Sequence, residues 1–236
     1  MIYFAHRGLS EIYPENTILS FDKAMTAGAE AVEFDVHKTK DGELVVIHDE
    51  DIKRTFNGSG LIKDFTLAEL KNFKCKNSEF ENSKLCKLPT LNEVLEILKS
   101  GNLFINIELK TDLIHYNNIE ADVLATIKKY NLQNKVLISS FNPQSLEILR
   151  ELDDLIKLGV LFGDNKMTML DFALKVNAYS INPDVYLVDQ ALINFAHDNE
   201  LKVFSYTVNK PSVASNLEKL GCDGIFTDNI LKFKKD

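Results

Sequence analysis

Short apolar runs alternate with amphipathic segments along most of this chain. The runs are rich in Ile, Val, Leu and Phe, as buried strands are. The segments between them repeat apolar residues at helical spacing; one begins at the capping box Thr90–Glu93, and two end at Gly28 and Gly101. Eight such strand–helix units predict parallel strands joined by right-handed crossovers.

The predicted fold is α/β, a (β/α)8 TIM barrel. The 236 residues suit one such domain, because a barrel of this type needs about 250. An open, doubly wound sheet is the alternative that strict alternation leaves. The predicted strands are 2–5, 31–36, 103–109, 136–139, 156–161, 178–181, 202–206 and 224–226. The predicted helices are 15–27, 90–99, 118–130, 142–152, 167–175, 189–199 and 211–220.

One segment interrupts the alternation. About forty residues separate His48 from the next barrel helix, where a short loop would suffice. The stretch 50–88 holds a turn at 57–60 and a short helix that opens at Thr66. We predict an insertion between strand 2 and helix 2 that covers part of the carboxyl-terminal face. It has too few apolar residues for its own core, so 1–236 is expected to be a single domain.

Charge and composition limit the classes of partner and the cellular location that are expected for this chain. The net charge is −8, which argues against nucleic acid, and no apolar run reaches the about 18 residues of a transmembrane helix. The amino terminus enters a strand at once without a signal-like segment, so a cytoplasmic location is expected. The odd number of cysteines, three, predicts reduced thiols rather than a Cys75–Cys86 disulfide. A monomer or a homodimer is expected.

The stretch Ala31–Asp49 carries the first candidate chemistry. Glu33 and Asp35 lie two residues apart on a predicted strand, so they share one face, while valines and a phenylalanine occupy the other. Two buried carboxylates repel each other unless a cation lies between them. After the turn at 40–43, a second short strand runs into His48.

Polar residues end other strands as well. His6 and Arg7 follow strand one, and Glu108 and Lys110 share a face of strand three with Asn106. Each has a plain alternative: exposed acids, a Glu108–Lys110 ion pair, or a buried core histidine. In a barrel the carboxyl ends of all strands surround one mouth, which favours a shared site. The candidate residues are His6, Arg7, Glu33, Asp35, His48, Glu108 and Lys110.

These residue types favour phosphoester chemistry. The oxygen ligands Glu33, Asp35 and Glu108 suit one hard divalent cation, Mg²⁺ or Ca²⁺, better than Mn²⁺ or Zn²⁺. Arg7 and Lys110 beside a cation suit a phosphoryl group. His6 and His48, which are not needed as ligands, can act as general acid and base. We therefore predict metal-assisted phosphoester hydrolysis.

An ordered set of motifs resembles the signature of the glycerophosphodiester phosphodiesterase family. The resemblance covers nearly the whole chain and is highly specific. The motifs are His6-Arg7-Gly8, Pro14-Glu15-Asn16-Thr17, Glu33-x-Asp35-Val36, Thr39-Lys40-Asp41-Gly42, His48-Asp49, Leu88-Pro89-Thr90-Leu91, Ile107-Glu108-Leu109-Lys110, Ser140-Phe141, Thr207-Val208-Asn209 and Gly224-Ile225-Phe226-Thr227-Asp228.

The resemblance implies a barrel that hydrolyses deacylated phospholipids, such as glycerophosphocholine or glycerophosphoethanolamine, to an alcohol and sn-glycerol 3-phosphate. It implies the roles given above for the acids, the histidines, Arg7 and Lys110, and adds Phe141 and Tyr206 to the substrate-binding residues. Tyr206 stands where the family often has Trp. Two alternatives stay open: phospholipase D-like cleavage of lysophospholipids, which needs an apolar or basic rim, and a catalytically silent binding protein.

Overall fold

Eight parallel strands close on themselves in the computed structural model, which describes residues 1–233. β1 pairs with β2 on one side and β9 on the other, and a short strand, β3, pairs antiparallel with β2 outside the ring. The strands are β1 (Ile2–His6), β2 (Ala31–Lys38), β3 (Leu44–Val46), β4 (Phe104–Leu109), β5 (Val136–Ser140), β6 (Lys157–Phe162), β7 (Ser180–Pro183), β8 (Lys202–Ser205) and β9 (Gly224–Thr227). Residues 234–236 of the predicted domain lie outside the described residues.

Helices follow the barrel strands, as predicted. They are α1 (Ile18–Thr26), α2 (Leu67–Leu70, in the insertion), α3 (Leu91–Leu98), α4 (Ile119–Lys129), α5 (Pro143–Leu152), α6 (Lys166–Lys175), α7 (Gln190–Asp198) and α8 (Pro211–Leu220). This arrangement confirms the predicted (β/α)8 TIM barrel. Within residues 1–233, no helix combines the length and the apolar character that crossing a membrane requires.

Helix starts follow the local chemistry. The Thr90 hydroxyl accepts a hydrogen bond from the backbone amide of Glu93, whose carboxylate accepts one from the Thr90 amide, as the predicted capping box requires. α1 begins after Thr17 in a similar box with Ser20. Before α1 the chain turns tightly at Gly8, whose φ is +83°. A Cβ atom at this position would clash with the hydroxyl oxygen of Ser20, at 2.4 Å.

The barrel interior is divided into an apolar floor and a polar mouth. Phe4 lies at the centre of the floor, with ring centroids 4.7–5.8 Å from those of Phe104, Phe204 and Phe226. Because inward-facing positions alternate along each strand, the next ones reach the carboxyl-terminal end. Those inward positions carry His6, Glu33 and Glu108, so these polar side chains face the open, carboxyl-terminal end of the barrel.

The segment 50–88 packs on the barrel through a second apolar cluster. Seven of its side chains are buried together with Leu19 of α1 and Val45 and Ile47 of the β3 region. The cluster is therefore shared with the barrel. The seven residues are Ile52, Phe56, Ile62, Leu70, Cys75, Cys86 and Leu88. Both cysteines among them, like Cys222, are free thiols, as predicted. The assignment of the whole chain to one domain stays a prediction.

Candidate active site

Three buried carboxyl groups face one another at the mouth of the barrel. Glu33 and Asp35 extend from β2 and Glu108 from β4, where the register pairs Asp35 with Glu108. A ligand oxygen from each lies within 4.8 Å of the others, and the three residues are 2, 0 and 9% exposed. Oε1 of Glu33 and Oδ1 of Asp35 are buried without a hydrogen-bond partner. This cluster could hold a metal ion.

The charges in this cluster conflict. Burial raises the pKa of Glu33 well above its ordinary value, and the negative charges of Asp35 and, to a smaller extent, Glu108 raise it further. Burial likewise raises the pKa of Glu108 to about 7, although Lys110 opposes the rise. Burial would raise the pKa of Asp35 too, but Arg7, His48, Lys110 and the hydrogen bond from Asn16 together outweigh it and hold that pKa low. All three groups can ionise together only if further positive charge enters the cluster.

His6, at the end of β1, is held by a carboxylate from the far end of the chain. Its Nδ1–H donates to Asp228, which follows β9, at 2.6 Å. Nε2 lies 3.8 Å from the carboxylate of Glu33. Asn209 also donates to Asp228. Burial opposes ionisation of Asp228, but the hydrogen bond and charge of His6, together with Asn209 and Arg7, lower its pKa to about 2. The imidazole therefore keeps Nε2 free for proton transfer on the cavity side.

His48 has the same arrangement with its neighbour in sequence. Its Nδ1–H donates to Asp49 at 2.6 Å, and Nε2 lies 3.5 Å from the ammonium nitrogen of Lys110. Burial lowers the pKa of His48, which favours the neutral imidazole. From behind, Nε2–H of His37 donates to the backbone oxygen of His48, and Nδ1 of His37 accepts from the Tyr116 hydroxyl. Both faces of the site thus carry an imidazole oriented through Nδ1.

Two cations complete the charged wall. The Arg7 amide donates to the Glu33 carboxylate at 3.0 Å, and its guanidinium donates to Glu15 at 3.0 Å. The guanidinium Nε lies 3.4 Å from Asp35. Lys110 donates to Glu108 at 2.9 Å. An anion that enters the mouth therefore meets these positive charges beside the carboxyl cluster.

The opposite wall is aromatic. The rings of Phe141 and Tyr206 meet edge to face, with centroids 5.7 Å apart, and the Lys110 ammonium lies 6.0 Å from the Phe141 centroid. The cavity between the walls has a volume of about 250 Å³, which suits a small molecule. It is lined by His6, Arg7, Glu33, His48, Asn106, Glu108, Phe141, Leu161, Tyr206, Thr207 and Phe226.

Comparison with known proteins agrees with this geometry. The model of the Glycerophosphoryl diester phosphodiesterase family matches residues 6–232. The chain belongs to this family. A member from Caldanaerobacter subterraneus subsp. tengcongensis, named glycerophosphodiester phosphodiesterase, is 39% identical over 228 residues, which cover 97% of this chain and 94% of that protein.

Solved structures resemble the chain over nearly its whole length. A glycerophosphodiester phosphodiesterase from Thermotoga maritima is 30% identical, with a TM-score of 0.81 and coverage of 99% of this chain and 96% of the other. An Oleispira antarctica phosphodiesterase, solved in complex with the product sn-glycerol-3-phosphate, is 28% identical, with a TM-score of 0.84 and coverage of 97% and 93%.

The structure brings together all nine residues that the sequence predicted for this family's site. Seven of them line the cavity, Asp35 lies in the carboxyl cluster, and Lys110 contacts Glu108 and His48. The roles assigned to them stay predictions. The seven lining residues are His6, Arg7, Glu33, His48, Glu108, Phe141 and Tyr206.

Sequence reasoning missed the residues that hold these side chains. No role was predicted for Asp228 or Asp49, although each lies in a family motif and each follows a strand. Asn16, also in a motif, donates to Asp35 at 2.8 Å. His37, which strand alternation places on the same face as Asp35, is fully buried behind His48. For Asp228 and Asp49, the signal available in the sequence was a carboxylate just past a strand end, within a family motif.

Proposed function

We propose that this protein hydrolyses glycerophosphodiesters, such as glycerophosphocholine, to an alcohol and sn-glycerol 3-phosphate. Family membership and the product bound by the Oleispira relative support this substrate class. The observation that carries the proposal is the pair of imidazoles, His6 and His48, each oriented by a carboxylate and each lining one cavity with buried acids. That arrangement supplies both a proton donor and a proton acceptor around one phosphorus.

The carboxyl cluster fits a divalent cation. Its donors are oxygens only, two of them lack a partner, and all come from Glu33, Asp35 and Glu108. This donor set favours Mg²⁺ or Ca²⁺. When bound, such an ion would neutralise charge on the phosphate and polarise its P–O bonds.

The chain's own residues supply the remaining steps. Arg7 and Lys110 bind and orient the phosphate, while the Phe141–Tyr206 wall packs against the glycerol carbons. One imidazole takes the proton of the nucleophile through Nε2, and the other gives a proton to the leaving alcohol. The low pKa of His48 suits the base, because a base must be neutral before reaction. The nucleophile is either water or the glycerol hydroxyl of the substrate; the hydroxyl would form a cyclic phosphate, which water would then open to glycerol 3-phosphate.

Release of glycerol 3-phosphate tests the proposal directly. We expect turnover of glycerophosphocholine and glycerophosphoethanolamine with added Mg²⁺ or Ca²⁺, and none after chelation. A coupled assay for glycerol 3-phosphate across several head groups and metals measures this. If no glycerophosphodiester is turned over with any of these ions, the silent binding protein becomes the better description.

Lysophosphatidylcholine belongs in the same panel. Three large side chains, Leu113, Met167 and Tyr186, are 75, 67 and 94% exposed and follow β4, β6 and β7 on the mouth side of the barrel. Single exposed apolar residues are common on protein surfaces, so we keep the small water-soluble substrate as the main proposal. Faster turnover of lysophosphatidylcholine than of glycerophosphocholine would reverse this preference.

Metal affinity should fall in acid. In the metal-free protein burial raises the pKa of Glu108 to about 7 and also raises that of Glu33, so protons compete with a cation for the cluster as the pH falls below 7. A cation must displace those protons, and its affinity should drop by up to about tenfold per displaced proton for each pH unit below 7. Calorimetric titration with Ca²⁺ at several pH values measures this. Affinity independent of pH between 6 and 8 would contradict it.

A further inference from the structure

Arg54 joins the insertion to two loops of the active site. It ends the helical turn Ile52–Arg54, and its side chain is 45% exposed. Its guanidinium donates twice to Glu15, at 2.6 and 2.8 Å, and twice to Asp49, at 2.6 and 3.1 Å. A planar fork that binds two carboxylates at once is geometry that arginine provides and lysine does not.

Each of those carboxylates also holds a residue of the candidate site. Glu15 accepts from Arg7 at 3.0 Å, and Asp49 accepts from Nδ1 of His48 at 2.6 Å. The result is an unbroken series of hydrogen-bonded side chains: Arg7, Glu15, Arg54, Asp49 and His48. The two ends of the series are the predicted phosphate-binding cation, Arg7, and one predicted acid–base group, the imidazole of His48. Arg54 does not line the catalytic cavity.

The series differs from an ordinary surface ion pair. A single exposed pair contributes little because two long side chains must be ordered for one contact. Here one ordered guanidinium binds two carboxylates, and each carboxylate also accepts a hydrogen bond from a second residue. The hydrogen bonds to Glu15 and Asp49 raise the pKa of Arg54. Despite burial, the partners of Asp49, Arg54 first, lower its pKa to about 2, so it stays ionised beside His48.

We propose that Arg54 is a positioning residue for the reaction: by gripping Glu15 and Asp49 together, it sets the placement of Arg7 relative to the His48 imidazole. The inference rests on the proposed phosphodiesterase function for its kinetic consequences. Without Arg54 both carboxylates keep their inner partners but lose the common anchor, so each can shift independently. Displacement of a reacting group by about 1 Å can lower a rate about 100-fold.

The insertion offers a matched control. Lys71, which follows α2, pairs with Glu93 of α3 at 2.6 Å and so ties the insertion to the barrel away from the mouth. Lys71→Met removes one ion pair of the insertion and Arg54→Ala removes two, but Lys71→Met touches no residue of the site. A purely structural role predicts similar behaviour of the two variants. A positioning role predicts that they differ.

The test compares kinetics and the His48 imidazole in both variants. We expect Arg54→Ala to lower kcat about 10- to 100-fold with a smaller change in KM, and Lys71→Met to leave both unchanged. Added ethylguanidinium should restore much of the rate to Arg54→Ala, because it replaces the fork. Ethylammonium, with the same charge and no fork, should not. Arg54→Lys should also remain slow, and it serves as the test variant if Arg54→Ala does not fold.

Proton NMR gives a reading that does not need activity. The hydrogen-bonded Nδ1–H of His48 should give a downfield signal in the wild-type protein and in Lys71→Met. It should weaken or vanish in Arg54→Ala and return with ethylguanidinium. An inactive wild-type protein would refute the proposed function alone, because the NMR comparison still decides whether Arg54 orders His48.

Several results would overturn the proposal. An unchanged kcat and an unchanged His48 signal in Arg54→Ala, with a lower Tm, would make Arg54 a structural clip. A raised KM with an unchanged kcat would make it a substrate-binding residue. Equal rescue by ethylguanidinium and ethylammonium would show that its charge, and not its two-carboxylate geometry, is what the site uses.

Discussion

Glu33→Gln is expected to give a protein that is more stable without metal and nearly inactive. Glu33 is 2% exposed, and burial with the charges of Asp35 and Glu108 raises its pKa, so its carboxyl group opposes folding at neutral pH. Glutamine has the same shape and no charge. We expect a gain of about 1 kcal/mol, or roughly 2–4 °C in Tm for a chain of this size.

The pH dependence of this gain has a definite sign. An acid whose pKa is raised by folding destabilises the folded state at every pH above its unfolded value, where the unfolded chain is ionised. The advantage of Glu33→Gln should therefore be present at pH 7 and disappear near pH 4, around the ordinary glutamate pKa of about 4.3. Thermal unfolding at the two pH values, each with a chelator present, measures it.

The same variant should lose its response to metal and its activity. Saturation of the wild-type protein with Ca²⁺ at about 100 times the Kd should add about 2.7 kcal/mol, and Glu33→Gln should gain much less. We expect kcat/KM to fall about 10³-fold, since a bound cation contributes several kcal/mol to such reactions. Glu120→Gln is the control, because Glu120 is also buried but bonds to Ser145 and does not line the catalytic cavity. A variant that stays active, or an unchanged metal response, would remove Glu33 from the ligand set.

His6→Ala and His48→Ala are each expected to lower kcat by about 10²- to 10⁴-fold. Each imidazole lines the cavity and is oriented through Nδ1 by a carboxylate, Asp228 or Asp49. His197→Ala is the control, because its exposed imidazole pairs with Asp223 away from the cavity. Steady-state assays with glycerophosphocholine measure the three variants. Retention of wild-type activity by either of the first two would refute its catalytic role.

A substrate with a better leaving group should distinguish the two histidines. A nitrophenol leaves without protonation, so the variant that lacks the general acid should recover on a glycerophospho-nitrophenol ester, whereas the variant that lacks the base should not. The lowered pKa of His48 leads us to expect recovery for His6→Ala. Recovery of His48→Ala instead would exchange the two assignments.

Much of the fold could be predicted because its signals are local. The apolar runs located the eight barrel strands, and capping residues such as Thr90 located helix starts within a residue or two, except that α1 begins three residues later than predicted. Strand alternation placed Glu33 and Asp35 on one face without any tertiary information. The rule that parallel strands of a barrel share one mouth then brought in His6 and Glu108.

Contacts between distant segments could not be predicted in the same way. Asp228 orients His6 across 222 positions of sequence, and only closure of the barrel between β1 and β9 makes them neighbours. His37 shows the limit of face arguments. Alternation along the strand places it on the face of Asp35, but Tyr116 and the backbone of His48 enclose it, so it supports the site from behind.

The eight-stranded barrel and the kind of chemistry at its mouth could be predicted from the sequence, because periodicity and residue type are properties of short stretches. The contacts that complete the site around Ala31–Asp49 could be seen in the tertiary structure alone. The structure joined Asp228 to His6, and Arg54 to the loop after β1. These pairings depend on ring closure and on side-chain rotamers that a whole packed barrel selects, and no local pattern encodes them.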